Sequence, residues 1–315
     1  DINKINENYN LIEFFIENSH SSLNYKSYLN KIPDLERSLS RISSSRGGPK
    51  DLLLISNGFL YINDIYKDLS KPNKYQSKPF LLKNIIQSFS IDYNLFFEIQ
   101  NAFKTNVPLL AKEGGFIKDG FNEKLDHLRS LRNNEYNQIV ELQKKYSDIS
   151  KINSLKIKHN KVLGYHIEVR AMHDASLRNL EHFIHRQSTA QTSRFTTVEL
   201  NEIEIQIANS SFEAIEIELE IFNFFIKQIV DIGNNILNIT ASVASLDIAV
   251  MAANQAKTRS YIRPELSNDK IFEIIDGRHP VVENQMSISE NSFISNDCIL
   301  NNKNYIWLIT GPNMA

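Results

Sequence analysis

A single cysteine, Cys298, in 315 residues leaves no partner for an intrachain disulfide and no cysteine-rich metal site, so it reads as a small core residue. Charge of one sign is also missing. Thirty-five Lys and Arg face 37 Asp and Glu, a net of −2, so nothing draws the whole chain toward nucleic acid. Any such contact has to come from a local patch. No run of 18 apolar residues occurs, and no membrane span is expected. The first residues, Asp1-Ile2-Asn3-Lys4, include no start methionine and no basic or apolar leader. What is present is apolar material, 42% of the residues, enough for sizeable cores in two or three domains.

Residues 1 to about 145 read as mostly helical. Leu11, Ile12, Phe14, Phe15 and Ile16 make one stripe, and Ile32-Pro33-Asp34-Leu35-Glu36 looks like a helix start. The loop Ser43-Ser44-Ser45-Arg46-Gly47-Gly48-Pro49 precedes a helix that Asp51 can cap. Lys71-Pro72-Asn73 and Lys78-Pro79 bound a further loop, followed by Leu81, Ile85, Ile86 and Phe89 at helical spacing. Gly114, Gly115 and Gly120 break the pattern before a charged helix from Glu123 to Tyr146.

The period changes at 154–170. Leu155, Ile157, Tyr165, Ile167 and Val169 alternate with polar residues, the mark of half-buried strands, around a turn at Asn160-Lys161. Thr192 to Val198 reads as another strand. Between 151 and 200, Lys151, Lys156, Lys158, Lys161, Arg170, Arg178, Arg186 and Arg194 outnumber Glu168, Asp174, Glu181 and Glu199, an excess suited to phosphate contact. The same excess also fits an ordinary solvated face. His166, His173 and His182 have no zinc-site spacing.

An apolar seam then runs through Phe222, Phe225, Ile229, Ile232, Ile236, Ile239, Val243, Leu246 and Val250 at spacings of three and four. Read as one helix from about 199 to 256, it makes a rod roughly 85 Å long. Arg263-Pro264 ends the helical region, Ile271–Asp276 is strand-like, and Asp276-Gly277 is a turn. At the end, Ile306–Ile309 reads as a buried strand entering Thr310-Gly311-Pro312-Asn313. A strand meeting a glycine turn is how a phosphate-binding loop begins. Gly311 supplies the first glycine, and the sequence stops before the lysine and the hydroxyl such a loop requires. A plain strand-turn has the same residues.

Several ordered segments resemble the MutS family of DNA mismatch-repair ATPases. They are Leu35-Glu36-Arg37 with Pro49-Lys50-Asp51-Leu52, Gly114-Gly115-Phe116-Ile117, and Gly164-Tyr165-His166-Ile167-Glu168-Val169. Arg186-Gln187, Arg194-Phe195, Asp276-Gly277-Arg278-His279-Pro280 and the final Thr-Gly-Pro-Asn-Met follow in the family's order. The resemblance implies a mostly α fold: a helical core and lever over 1–153 and 199–264, a β-rich DNA clamp at 154–198, and the first strands of an α/β P-loop ATPase domain at 265–315. It implies that His185, Arg186, Gln187, Gln191 and Arg194 face the DNA backbone, with Ala190 where the family often has lysine. It implies that Phe293 and Ile294 pack on adenine, and that Gly311, Pro312, Asn313 and Met314 begin the phosphate wrap, with Ala315 where the family has glycine.

The cofactors implied for an intact protein are ATP and Mg²⁺. Without the loop lysine and serine, this chain is not expected to bind them well or to hydrolyse ATP. The partners implied are double-stranded DNA and a second MutS-family subunit. Mismatch reading in the family uses an N-terminal Phe-x-Glu. Phe14-Phe15-Ile16-Glu17 and Phe96-Phe97-Glu98 contain Phe and Glu, but both fall in helical core patterns. The alternative is a structural or meiotic type of DNA clamp with no mismatch reader. The short clamp and the Ile184–Thr189 stretch resemble the fungal mitochondrial members, which implies a mitochondrial setting; nuclear and bacterial cytoplasmic settings are the alternatives.

Overall fold

Helix caps and breakers in the sequence set most of the element ends seen in the computed structural model. The structure describes residues 1–315 except 73, 76, 161, 289–291 and 312–315, with backbone alone at 20–22, 287 and 288. Six helices come first: α1 (Ile2–Glu17), α2 (Ser19–Leu29), α3 (Leu35–Ser43), α4 (Pro49–Leu69), α5 (Phe80–Phe89) and α6 (Asn94–Ala102). Asp34 caps α3 through the backbone N–H of Arg37. Pro49 opens α4, where the Asp51 carboxylate accepts from the Gly48 N–H at 2.9 Å and from Arg41 at 3.2 Å. Each cap satisfies a donor that the first helical turn leaves orphaned.

α7 (Glu123–Ser150) and α9 (Val198–Asp231) form an antiparallel pair that projects from this bundle. Side-chain contacts mark its length: Arg129 to Glu218 at 2.7 Å near the bundle, Ser210 to Glu135 at 3.3 Å midway, and Tyr146 to Thr197 at 2.7 Å at the far end. Between the helices lie four strands and a short helix: β1 (Lys156–Asn160), β2 (Gly164–Arg170), α8 (Asp174–Arg178), β3 (Ile184–Ser188) and β4 (Thr192–Thr196). The strands form one antiparallel sheet in the order β1-β2-β4-β3.

Two cores result. The larger joins α1–α6 to α9 and α10 around residues such as Phe15, Phe59, Phe96, Phe116 and Phe225, with Phe59 stacked on Phe96 at 4.1 Å. The smaller seats the sheet on the end of the stalk through Ile139, Leu142, Ile167, Val169, Phe195, Leu200 and Ile203. Between them the α7–α9 seam is polar. Glu218 is only 2% exposed, and its carboxylate accepts from the Phe116 N–H at 3.1 Å and from Arg129.

The sequence expectation of one rod over 199–256 is corrected. α9 ends at Asp231 and α10 (Gly233–Arg259) begins after Ile232, whose φ of −97° and ψ of 11° leave the helical region. An unbroken apolar period cannot reveal such a break, since both helices keep their seams buried. The two measure about 50 and 40 Å. β4 also stops at Thr196 rather than Val198, because the Thr197 hydroxyl caps α9 through the Leu200 N–H at 3.0 Å. By length and composition α10 is apolar enough to cross a membrane, which a search for uninterrupted apolar runs does not reveal. Its buried face, including Ile236, Ile239, Leu246 and Val250, packs on α1, α2 and α5.

Beyond α10 lie β5 (Phe272–Gly277), α11 (Pro280–Ile288) and β6 (Asn296–Leu300), with β5 and β6 forming an antiparallel ribbon. Asp276-Gly277 falls inside the irregular end of this pairing, with Asp276 at φ +53°, rather than forming a separate turn. The expected buried strand at Ile306–Ile309 is corrected as well. These residues have no strand pairing, and Ile306, Leu308 and Ile309 are 74%, 89% and 84% exposed. A buried strand needs neighbours on both edges and a covering layer. A two-stranded ribbon and one short helix do not supply them.

Candidate nucleic-acid interface

The sheet has two unlike faces because its strands alternate. Ile167 and Phe195, paired across β2 and β4, turn toward the stalk. The next register row, Lys156–Glu168–Arg194–Gln187, crosses all four strands on the opposite face. Asn160 shapes the β1–β2 turn, its side-chain oxygen accepting from the Val162 and Leu163 N–H groups at 2.9 and 2.8 Å. Gly164 follows at φ +65°, and a Cβ there would lie 1.7 Å from the Glu204 carboxylate of α9. Glu204 in turn accepts from the Tyr165 N–H at 3.1 Å, tying the hairpin to the stalk.

The outer row is wired together. Glu168 accepts from Lys158 at 2.7 Å on one side and from the Arg194 Nε at 3.2 Å on the other. Arg194 also donates to the Gln187 side-chain oxygen at 3.2 Å. Hydrogen bonds from Lys158 and then Arg194 hold the Glu168 carboxyl below the usual range against the opposing effect of burial.

β3 carries a bulge. His185 pairs with Phe195 and Gln187 with Arg194, so Arg186 is the extra residue. A bulge re-aims side chains. Without it His185 and Gln187 would share a face. With it His185 turns toward Phe195, its ring 5.4 Å from that ring and its Nε2 2.8 Å from the Ser188 hydroxyl, while Gln187 joins Arg194. Arg186 is exposed and makes no ion pair among the described residues. Gln191 sits exposed in the tight turn from Thr189 to Thr192, whose backbone closes at 2.8 Å, next to Ala190. Thus Gln187 and Arg194 come together, Arg186 and Gln191 are exposed beside them on the β3–β4 hairpin, and His185 is held toward the core side.

Lys156 and Arg170 are exposed cations of the same sheet, without ion pairs among the described residues. They are absent from the set that the resemblance implies. Strand alternation counted outward from Glu168 would place both on its row's face. The remaining excess charge is partly cancelled: Arg178 pairs with Asp174 at 2.6 Å on α8. No three His, Cys, Asp or Glu side chains gather as a metal set among the described residues.

The nucleotide residues do not converge. Phe293 is half-buried, Ile294 is 79% exposed, and Gly311 is exposed with open space around it. No hydrogen bond among the described residues links them. Pro312, Asn313 and Met314 lie outside the described residues. The described residues of this set lie apart, without a shared hydrogen bond.

Comparison with known proteins falls on the same parts. Residues 120–212 match MutS family domain IV, a span that takes in α7, the whole sheet and the first half of α9. The DNA mismatch repair protein MutS of Roseobacter denitrificans is 39% identical over 297 residues, 92% of this chain and 33% of that protein. Those of Bartonella tribocorum and Zymomonas mobilis are each 36% identical, over 96% and 100% of this chain and 34% and 36% of theirs. The chain spans about a third of the length of the curated relatives it matches. With a stalk and sheet inside the matched span, the chain is similar to MutS proteins along nearly its whole length.

Proposed function

We propose that this chain supplies the lever and DNA-gripping clamp of a protein acting in DNA mismatch repair. The observation that carries the reading is the outer face of the four-stranded sheet. It presents Lys156 and Arg170, with Arg186 exposed at the bulge beside them, all free of ion pairs among the described residues, at the end of a helical stalk. Arginine on a phosphate is a permanently charged, bidentate partner, and glutamine adds a neutral donor. Such contacts fix a protein on a duplex without reading its sequence, which suits a protein that must travel over any sequence. The names of the relatives, DNA mismatch repair proteins, agree with this use. A second MutS-family subunit, implied by the resemblance, would supply the opposing arm. ATP and Mg²⁺ are the cofactors that the resemblance implies for an intact family member.

Neither Phe-x-Glu can read a mismatch, because Phe15 and Phe96 are fully buried. Matched and mismatched duplexes should therefore titrate alike, and a tenfold preference, about 1.4 kcal/mol, would contradict this. The direct test is Arg186→Ala. Binding should weaken equally for every duplex sequence, with the salt slope reduced by about 0.9. Its melting temperature should not move, since Arg186 makes no ion pair among the described residues. A lower melting temperature with an unchanged slope would refute the contact role.

A further inference from the structure

We propose that Glu168 is a built-in restraint on the clamp's grip, holding Lys158 and Arg194 away from DNA phosphate and so keeping the clamp loose enough to slide. The inference rests on the DNA-backbone reading above. Its basis is the position of one acid. Glu168 stands on β2, an inner strand, in register with Lys156 on one side and Arg194 on the other. Its side chain is 15% exposed, and its two oxygens are divided between Lys158 at 2.7 Å and Arg194 at 3.2 Å. Both cations therefore already have a carboxylate partner. Arg194 has Gln187 as well.

A phosphate approaching this face meets two kinds of cation. Arg186, raised on the bulge, has no protein partner to give up among the described residues. Lys158 and Arg194 must exchange Glu168 for phosphate, and Glu168 would then be left facing the anionic backbone. That exchange offsets much of what two added phosphate contacts would contribute. Affinity from phosphate neutralisation grows with each cation engaged, and the same non-specific term governs sliding along DNA. A single acid between two bases thus sets how many cations the face can commit.

Glu168→Gln keeps the shape and the acceptor oxygen but removes the charge. Full-length chain is titrated with duplex DNA by fluorescence anisotropy between 50 and 200 mM salt. The variant should bind roughly three- to tenfold tighter at the low-salt end, with a slope steeper by about 0.9 for each cation released. Glu181→Gln, an exposed acid of the same insert outside the strands, controls for added charge and should have a smaller effect. Lys158→Gln should be nearly silent in the wild-type background and should reverse part of the gain in Glu168→Gln. Glu168→Gln that melts normally yet binds no tighter overturns the proposal, as does an equal gain from Glu181→Gln. If Glu168→Gln does not fold, the lysine variant alone still decides: a loss as large as that of Arg186→Ala shows that Lys158 already holds phosphate and is not restrained. Failure of the underlying reading looks different, because the wild type would then show no salt-dependent binding, or Arg186→Ala would bind as well as wild type.

Discussion

The chain before Ser260 and the chain after it have similar apolar patterning but opposite burial. Before Ser260, phenylalanines such as Phe59, Phe103 and Phe225 are at most 2% exposed. After it, no described residue is buried, although the stretch holds Ile271, Phe272, Ile274, Ile275, Trp307, Leu308 and Ile309. Apolar sequence is a demand for cover. In the helical body α1, α2, α4, α5 and α10 cover one another. Among the described residues no layer covers either face of the ribbon of β5 and β6. The sheet of the insert, with four strands, meets its demand on one face only because α7 and α9 lie beneath it.

The contrast can be broken or sharpened by substitution, and the largest effect belongs to the body. Phe225→Ala should cost about 3–5 kcal/mol, measured by chemical denaturation, because it empties a site packed against Phe103 and Phe121. Trp307→Ala, in the uncovered region, should change stability by less than about 0.5 kcal/mol. If both changes cost the same, the uncovered region is packed in solution and the contrast fails. Next comes Glu218→Ala at the joint between the cores. It leaves the Phe116 N–H without its buried acceptor and takes one carboxylate from Arg129, which keeps Asp119 at 2.6 Å and the Ile117 carbonyl at 2.9 Å, and should cost about 2 kcal/mol. A loss below about 1 kcal/mol would show that water replaces the carboxylate.

Gly164→Ala should cost about 1–3 kcal/mol, since it combines a left-handed φ with a collision against Glu204. Hydrogen exchange should locate the loss in the insert and leave the amides of α4 protected. Loss of protection throughout the body would show that the two cores unfold as one. The smallest effect is one of pH. Burial pushes the Asp68 carboxyl up, but hydrogen bonds from Lys74, Tyr25 and Lys71 outweigh it and hold it well below the usual carboxylate range. A depressed carboxyl contributes stability that is complete above its unfolded pKa near 4 and is lost as pH falls further. The stability gap between wild type and Asp68→Asn should therefore narrow on acidification from pH 6 to pH 2. A constant gap would remove Asp68 from the acid response.

Local chemistry is legible in the sequence wherever one residue type has one reason to be present. Asp34, Pro49 and Asp51 mark helix starts, Gly114 to Gly120 mark a break, and the alternation from Leu155 to Val169 marks strands. The break at Ile232 is not legible, because the apolar period runs on through it. Nor is the bulge at Arg186, because an inserted residue in a strand leaves no compositional trace. That hidden residue decides that His185 and Gln187 part company. In the sequence Glu168 is only one unit of opposing charge, and its place between two cations needs the register of three strands. The exposure of Ile306–Ile309 escapes the sequence for a simpler reason: a hydrophobic run shows what a segment needs and nothing about whether the need is met.

The contact between Tyr146 and Thr197 at 2.7 Å means that the chain leaves the stalk and returns to it at one point. In engineering terms the sheet is a cassette. Its entrance and exit share a doorway, so nothing in the path of the surrounding chain depends on what is housed between them. Residues 153–196 could be exchanged for a short turn, or for another small domain with close-set termini, provided the replacement covers Tyr146, Leu200 and Ile203.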